Sequence, residues 1–200
     1  MRGQAPRFTS KLAGSGPRHK MAAVVIAFVW ACMPATLFSQ HDNHAGLTPP
    51  ANRQPAPDFQ LITDAGKTVR ISDFRGKVVL LDFWATGCGG CVLEIPSYIE
   101  LQKAYGDKGF AALGVSMDIT YEGLKDADEA WGKVKPFMAK YGVNYTIAMG
   151  DDPVARAYTL TTLPATYLID KSGRIAVTYV GVLIDKDNVE ANIKSLLAEQ

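Results

Sequence analysis

Two cysteines three positions apart, in Cys88-Gly89-Gly90-Cys91, are the residues of this chain best suited to chemistry. They follow a strand-like apolar run, Val78-Val79-Leu80-Leu81, which continues through Asp82-Phe83-Trp84-Ala85 and breaks at Thr86-Gly87. After them Val92, Ile95, Tyr98, Ile99 and Leu101 recur at helical spacing. The pair is thus expected at a strand-to-helix junction, on the first helical turn. The first N–H groups of a helix have no internal partners, and with the macrodipole they favour negative charge. Cys88 is therefore expected to ionise below the free-thiol value of about 8.5 and to act as a nucleophile. Cys91, one turn on and on the same face, can attack a mixed disulfide formed at Cys88 and release a reduced partner. The two glycines allow a close backbone approach.

Two other uses of such a pair compete with this one. Zinc takes four ligands, and the chain offers one further cysteine, Cys32, and three histidines, His19, His41 and His44, all ahead of the expected domain. A structural disulfide across two residues constrains the unfolded chain very little. A Cys-x-x-Cys pair inside a βα pattern reads as a redox centre.

Composition sets the frame. Two hundred residues, 48% of them apolar, suit one domain plus a tail. Net charge is +1, and Arg2, Arg7, Lys11, Arg18 and Lys20 fall in the first twenty residues without an acid. Taking those five from the total of 21 leaves 16 basic against 20 acidic residues, a net of −4, with no basic cluster that suggests nucleic acid. Residues 1–20 followed by the uncharged run Met21–Phe38 have the layout of a signal sequence or an N-terminal membrane anchor. Both outcomes stay open; Pro34 interrupts a run of about the minimum length that spans a bilayer. Cys32 reads as an apolar residue of that segment. Residues 39–56 are polar and proline-rich, an exposed linker on which His41 and His44 are solvated.

The domain is expected over 57–200. Asp64-Ala65-Gly66-Lys67 joins two short strands into a hairpin. Lys77–Trp84 reads as a strand covered on both faces, and Phe110–Met117 as the next strand. Residues 119–126 read as a polar loop. Trp131, Val134, Phe137, Met138 and Tyr141 mark a helix whose aromatic side chains pack on the sheet. A short strand at 145–149, a short helix at 153–158, strands at 167–169 and 174–180, and an amphipathic helix over 188–197 complete an α/β order. That pattern predicts a mixed central sheet with helices on both faces.

Several of these residues together resemble thioredoxin: Asp82-Phe83-Trp84-Ala85 before the cysteine pair, Pro96 five residues after it, Leu163-Pro164-Ala165-Thr166 before a late strand, and Gly181 after the last hairpin. Pro57-Asp58-Phe59, the early hairpin and Glu94 three residues after Cys91 resemble more narrowly the exported TlpA/ResA-type thiol–disulfide proteins. The resemblance covers roughly residues 55–200. It implies a thioredoxin fold with an extra N-terminal β-hairpin and a redox-active Cys88–Cys91 disulfide. It also implies a cis Pro164 facing that disulfide, and a substrate groove formed by Trp84, Leu163, Pro164 and Gly181. Asp82 would take the proton of Cys91, and Glu94 would hold or relay it. No metal and no cofactor are implied. The expected partners are protein disulfides or dithiols and a membrane thiol–disulfide electron donor. The expected setting is the bacterial periplasm or the outer face of the cytoplasmic membrane, with the protein a monomer. The implied work is reductive, as in cytochrome c maturation.

One departure stands out. Gly87 holds the place where such proteins carry a tryptophan, so the groove beside Cys88 is expected to be more open. A peroxiredoxin-like peroxidase is a rival reading, since the Pro-Asp-Phe opening is shared. That family's upstream Pro and Thr positions hold Leu81 and Ala85 here, and Thr86 lies one place too late. A copper metallochaperone using the two cysteines is another.

Overall fold

A computed structural model describes residues 45–199; the expected signal or anchor segment lies outside the described residues. The centre is β4 (Val78–Trp84), seven residues without one exposed position. Its β-branched and aromatic side chains suit a pleated surface covered on both sides. It pairs in parallel with β5 (Phe110–Ser116) and antiparallel with β7 (Ala165–Ile169). Beyond β7 lie β8 (Arg174–Val180) and β1 (Gln54–Pro55); beyond β5 lie β6 (Thr146–Met149), β2 (Leu61–Thr63) and β3 (Thr68–Val69). The sheet is eight-stranded and mixed, in the order β1-β8-β7-β4-β5-β6-β2-β3. The expected hairpin is β2–β3, and it extends the sheet at its far edge.

Alternation along β4 divides the core. Val78, Leu80 and Trp84 pack with α1 (Gly89–Tyr105), α3 (Ala127–Tyr141) and α5 (Lys186–Ala198). Val79, Leu81 and Phe83 pack with Val154 of α4 (Asp152–Ala157), Tyr158 and Ile71 of a 3₁₀ turn. Among the described residues, helices therefore cover both faces, with α1, α3 and α5 on one and the short α4 on the other. Among the described residues no helix is long and apolar enough to cross a membrane.

Two expectations are corrected. Residues 119–126 are not wholly loop: α2 (Asp118–Glu122) forms there and is stopped by Gly123, whose φ of 64° favours glycine. The supposed linker is docked from residue 45 onward. Its Gln54 and Pro55 pair with β8, and Thr48 N–H donates to Ala176 O at 2.8 Å. Arg53 is 3% exposed; its guanidinium donates to Asp170 Oδ2 at 3.0 Å and to both Glu199 oxygens at 2.6 and 2.7 Å. A polar composition suggested solvent, but the polar groups find partners more than a hundred residues away.

Candidate active site

The last residues of β4 and the start of α1 place the cysteines. Thr86 is held by the buried Asp118, which accepts its backbone N–H at 3.2 Å and its hydroxyl. Ser116 Oγ donates to the same carboxylate at 2.7 Å. The turn thus fixed ends at Cys88, the N-cap of α1, whose sulfur accepts the Cys91 N–H at 3.2 Å. This is the unpaired first-turn amide that favours a thiolate. The two sulfurs are joined in a disulfide with a Cα–Cα distance of 5.3 Å. Cys88 keeps 4% exposure and Cys91 none, so the first cysteine is the one a partner can reach.

The Leu163–Pro164 peptide is cis, and Pro164 stands against the motif. A Cβ at Gly90 would lie 3.4 Å from Pro164 Cδ and 3.5 Å from Leu183 Cδ2. Gly181 N–H donates to Pro164 O at 2.9 Å, and the Gly181 φ of 68° suits a residue without a side chain. Leu163 lines a hollow of about 430 Å³ with Met117, Tyr121 and Leu160. Tyr121, Val182 and Leu183 are exposed apolar side chains. Trp84 is a correction: it is 1% exposed, with its ring 5.1 Å from that of Phe137, and so cannot line a substrate groove. Its position on β4 turns it into the core, and Gly114 leaves room for it, since a Cβ there would come within 3.0 Å of Trp84 Nε1.

Gly87 brings a second correction. A Cβ there would stand 1.8 Å from Glu122 Oε1, so a carboxylate fills the place expected to be open. Lys133 Nζ pairs with that Glu122 side chain at 3.5 Å.

Behind the disulfide lie two buried carboxyls. Asp82, 1% exposed, sits opposite Thr166 of β7 and Gly114 of β5. Thr166 Oγ1 donates to Asp82 Oδ1 at 3.1 Å, while Asp82 Oδ2 has no partner among the described residues. Burial, and then the charge of Glu94, push the Asp82 carboxyl well above its ordinary value. Glu94, 2% exposed on α1, accepts from Tyr98 OH at 3.1 Å and from Ile184 N–H at 2.8 Å. Burial pushes it up to about 6. Tyr98 OH also lies 2.8 Å from Thr166 Oγ1, which closes a chain from one carboxyl to the other.

Among the described residues no group of three or more His, Cys, Asp or Glu side chains is arranged for a metal. Tyr98, Thr166, Asp118 and Glu122 were not singled out by sequence reasoning. Tyr98 falls on the apolar face of α1 and reads as core, and Thr166 belongs to the Leu-Pro-x-Thr run, where the signal for it lay.

A model of the AhpC/TSA family matches residues 53–178. The chain belongs to this family. It is 34% identical over 134 residues to the thioredoxin-like protein YneN of Bacillus subtilis, spanning 67% of this chain and 74% of that one. It is 34% identical over 142 residues to the thiol-disulfide oxidoreductase ResA of Geobacillus kaustophilus, spanning 70% of this chain and 75% of that one. A solved thiol:disulfide interchange protein of the thioredoxin family from Chlorobium tepidum superposes with a TM-score of 0.63 at 27% identity, covering 75% of this chain and all of that one. The fold is thioredoxin-like, and the protein is a ResA-type thiol–disulfide oxidoreductase.

Proposed function

We propose that this protein exchanges thiols and disulfides with other proteins of the bacterial cell envelope, in the reducing direction, with Cys88 as nucleophile. The observation that carries the reading is the unequal placement of two bonded sulfurs. Cys88 caps α1 and touches solvent, whereas Cys91 is sealed behind it. In the reduced protein the Cys88 thiolate attacks one sulfur of a partner disulfide. A Cys88–partner bond forms, and the other partner sulfur leaves as a thiolate. Cys91 then gives its proton to Asp82, whose Oδ2 is unpartnered, and attacks Cys88. The Cys88–Cys91 bond forms, the Cys88–partner bond breaks, and two electrons have passed to the partner. A membrane thiol–disulfide donor restores the dithiol.

The hollow beside Leu163 and the cis Pro164 give a partner peptide an edge to lie along, with Gly181 keeping its far side low. Residues 1–38 would direct export or anchor a monomeric domain, 39–44 would tether it and 45–200 would form it; apocytochrome c is a fitting substrate in that setting. Leu81 and Ala85, both fully buried and without hydroxyls, offer nothing to orient a peroxide, which favours exchange over a peroxidase.

The test is trapping. Cys91→Ser is expected to hold its natural partner as a mixed disulfide on Cys88, and Cys88→Ser to lose insulin reduction completely. No captured protein, or reduction surviving in Cys88→Ser, would overturn the reading.

A further inference from the structure

Three hydrogen bonds join Asp82 to Glu94: Asp82 Oδ1–Thr166 Oγ1 at 3.1 Å, Thr166 Oγ1–Tyr98 OH at 2.8 Å and Tyr98 OH–Glu94 Oε2 at 3.1 Å. Each link needs one hydrogen. The threonine and tyrosine hydroxyls supply one apiece, and ionised carboxylates supply none. With both acids ionised, one link therefore has two oxygens facing each other without a proton, in a buried site where an unmade bond is costly. With both acids protonated there is one hydrogen too many for the three links. The chain is complete when it holds one carboxyl proton.

We propose that Asp82 and Glu94 share a single proton, and that Thr166 and Tyr98 are the positioning residues that pass it between them. Two arrangements satisfy every link. In one, Asp82 donates to Thr166, Thr166 to Tyr98 and Tyr98 to ionised Glu94. In the other, Glu94 donates to Tyr98, Tyr98 to Thr166 and Thr166 to ionised Asp82. Glu94 Oε1 accepts the Ile184 N–H in both. The two interconvert when each hydroxyl gives up one proton and takes another, so no hydroxyl is left charged.

The second arrangement is the one the resolving step uses. It leaves Asp82 ionised, with its unpartnered Oδ2 free to take the Cys91 proton. The chain then holds two carboxyl protons, one on Asp82 and one on Glu94, and Glu94 gives its proton to solvent water. The hydroxyls turn to donate toward Glu94 and the Asp82 carboxyl rotates to present its new proton to Thr166, which regenerates the first arrangement. Transfer along the chain then restores the second. One proton has moved from Cys91 through the chain to water, with no change in electron count beyond the disulfide exchange.

The titratable groups facing this network are Cys91, Glu94 and Tyr98 of α1, Asp82 of β4 and Tyr145 ahead of β6, whose hydroxyl is pushed up by burial and then by both acids. From β7 comes Thr166, and β5 places Gly114 opposite Asp82. Burial raises both acids, and the charge of Glu94 raises Asp82 further; the hydrogen bonds from Thr166, Tyr98 and the Ile184 N–H work against that rise without cancelling it, so a proton takes the place that a cation fills elsewhere.

This inference rests on the roles given above to Cys88 and Cys91, and the tests separate the two. The first counts protons by infrared carboxyl bands at pH 7 and needs no activity. The full chain should show one protonated carboxyl band that Asp82→Asn and Glu94→Gln each remove, because either amide can supply the third hydrogen itself. A band that Glu94→Gln leaves in place would overturn the sharing. The second follows the resolving step alone, as loss of a preformed Cys88–peptide mixed disulfide across pH. Tyr98→Phe and Thr166→Val should each slow it about tenfold, less than the ~10²–10⁴ of a positioned acid–base group, because Asp82 still takes the Cys91 proton directly. Their pH profiles should change, and the double variant should be no slower than either single one, since a chain broken once is broken. Thr166→Ser should restore the rate and profile. Effects that multiply in the double variant, or wild-type profiles in both single variants, would overturn the relay. A wild-type protein that shows the single shared band but reduces no protein disulfide would sink the exchange reading and leave the shared proton standing.

Discussion

The molecule sets two pairs of acids in place and treats them in opposite ways. Asp82 and Glu94 lie behind the disulfide with hydroxyls for company; Asp170 and Glu199 lie around the buried guanidinium of Arg53. Burial pushes Asp82 and Glu94 up. Burial also pushes Asp170 up, but hydrogen bonds from Ser172, Arg174 and Arg53 outweigh it and hold the group below its ordinary 3.8. Glu199 is lowered chiefly by its bond to Arg53. A fixed cation makes a buried acid permanently charged and mechanically useful, here as the clamp that docks residues 45–55 and the C-terminal end onto the β7–β8 turn. Hydroxyls, which can donate or accept, leave the other pair able to hold a proton above the range of an ordinary carboxylate.

The hardest blow to this contrast is Arg53→Met. It strands Asp170 beside Glu199, and breaking such a buried pair typically costs about 3–5 kcal/mol. Urea unfolding should show a loss at the low end of that range, because Glu199 is partly exposed. A loss well under 1 kcal/mol would mean that the clamp is not what holds the N-terminal segment.

Next in size is Glu94→Gln, with an effect of opposite sign. The folded-state value of Glu94 is raised from 4.5 to about 6. Its stabilising contribution is therefore full below pH 4.5 and is lost as pH rises through about 6. Removing the acid should leave stability near pH 4 unchanged and raise it at pH 7 by up to about 2 kcal/mol, from 1.36 kcal/mol per unit. Unfolding midpoints across pH would read this directly. The same substitution should slow the resolving step, so a more stable but slower protein is the expected pairing.

Smallest is Ser172→Ala, which removes the 2.7 Å bond from Ser172 Oγ to Asp170 Oδ1. The expected loss is about 1 kcal/mol at pH 7. Asp170 is a lowered acid, so its contribution is present above 3.8 and lost as pH falls through its folded value. The variant should begin its acid unfolding at a higher pH than the wild type. An unmoved acid limb would show that Arg53 and the backbone N–H groups of Ser172 and Arg174 set the charge of Asp170 without the hydroxyl.

Much of the architecture could be read in advance because its causes are local. The unbroken apolar run 78–84, the turn Asp64–Lys67 and the cysteines at a strand-to-helix break are short-range patterns, and all three formed as read. The misreadings share a different cause. Trp84 belongs to a motif, and its type suggests a contact surface, but strand alternation turns it inward against Phe137. Gly87 suggests open space until α2 brings Glu122 to it from 35 positions along the chain. Arg53 looks solvated among prolines until Asp170 and Glu199 arrive.

The sequence by itself determined where a thiolate would be favoured, because the amides that stabilise it belong to the same helical turn. It also determined which acids would stand close to that turn, through the strand before it and the helix after it. Tertiary structure alone decided what those acids do. The hydroxyls that join Asp82 to Glu94 meet only when β7 lies beside β4 and α1 packs across both, and an acid's charge depends on what surrounds it in space, not on its neighbours along the chain.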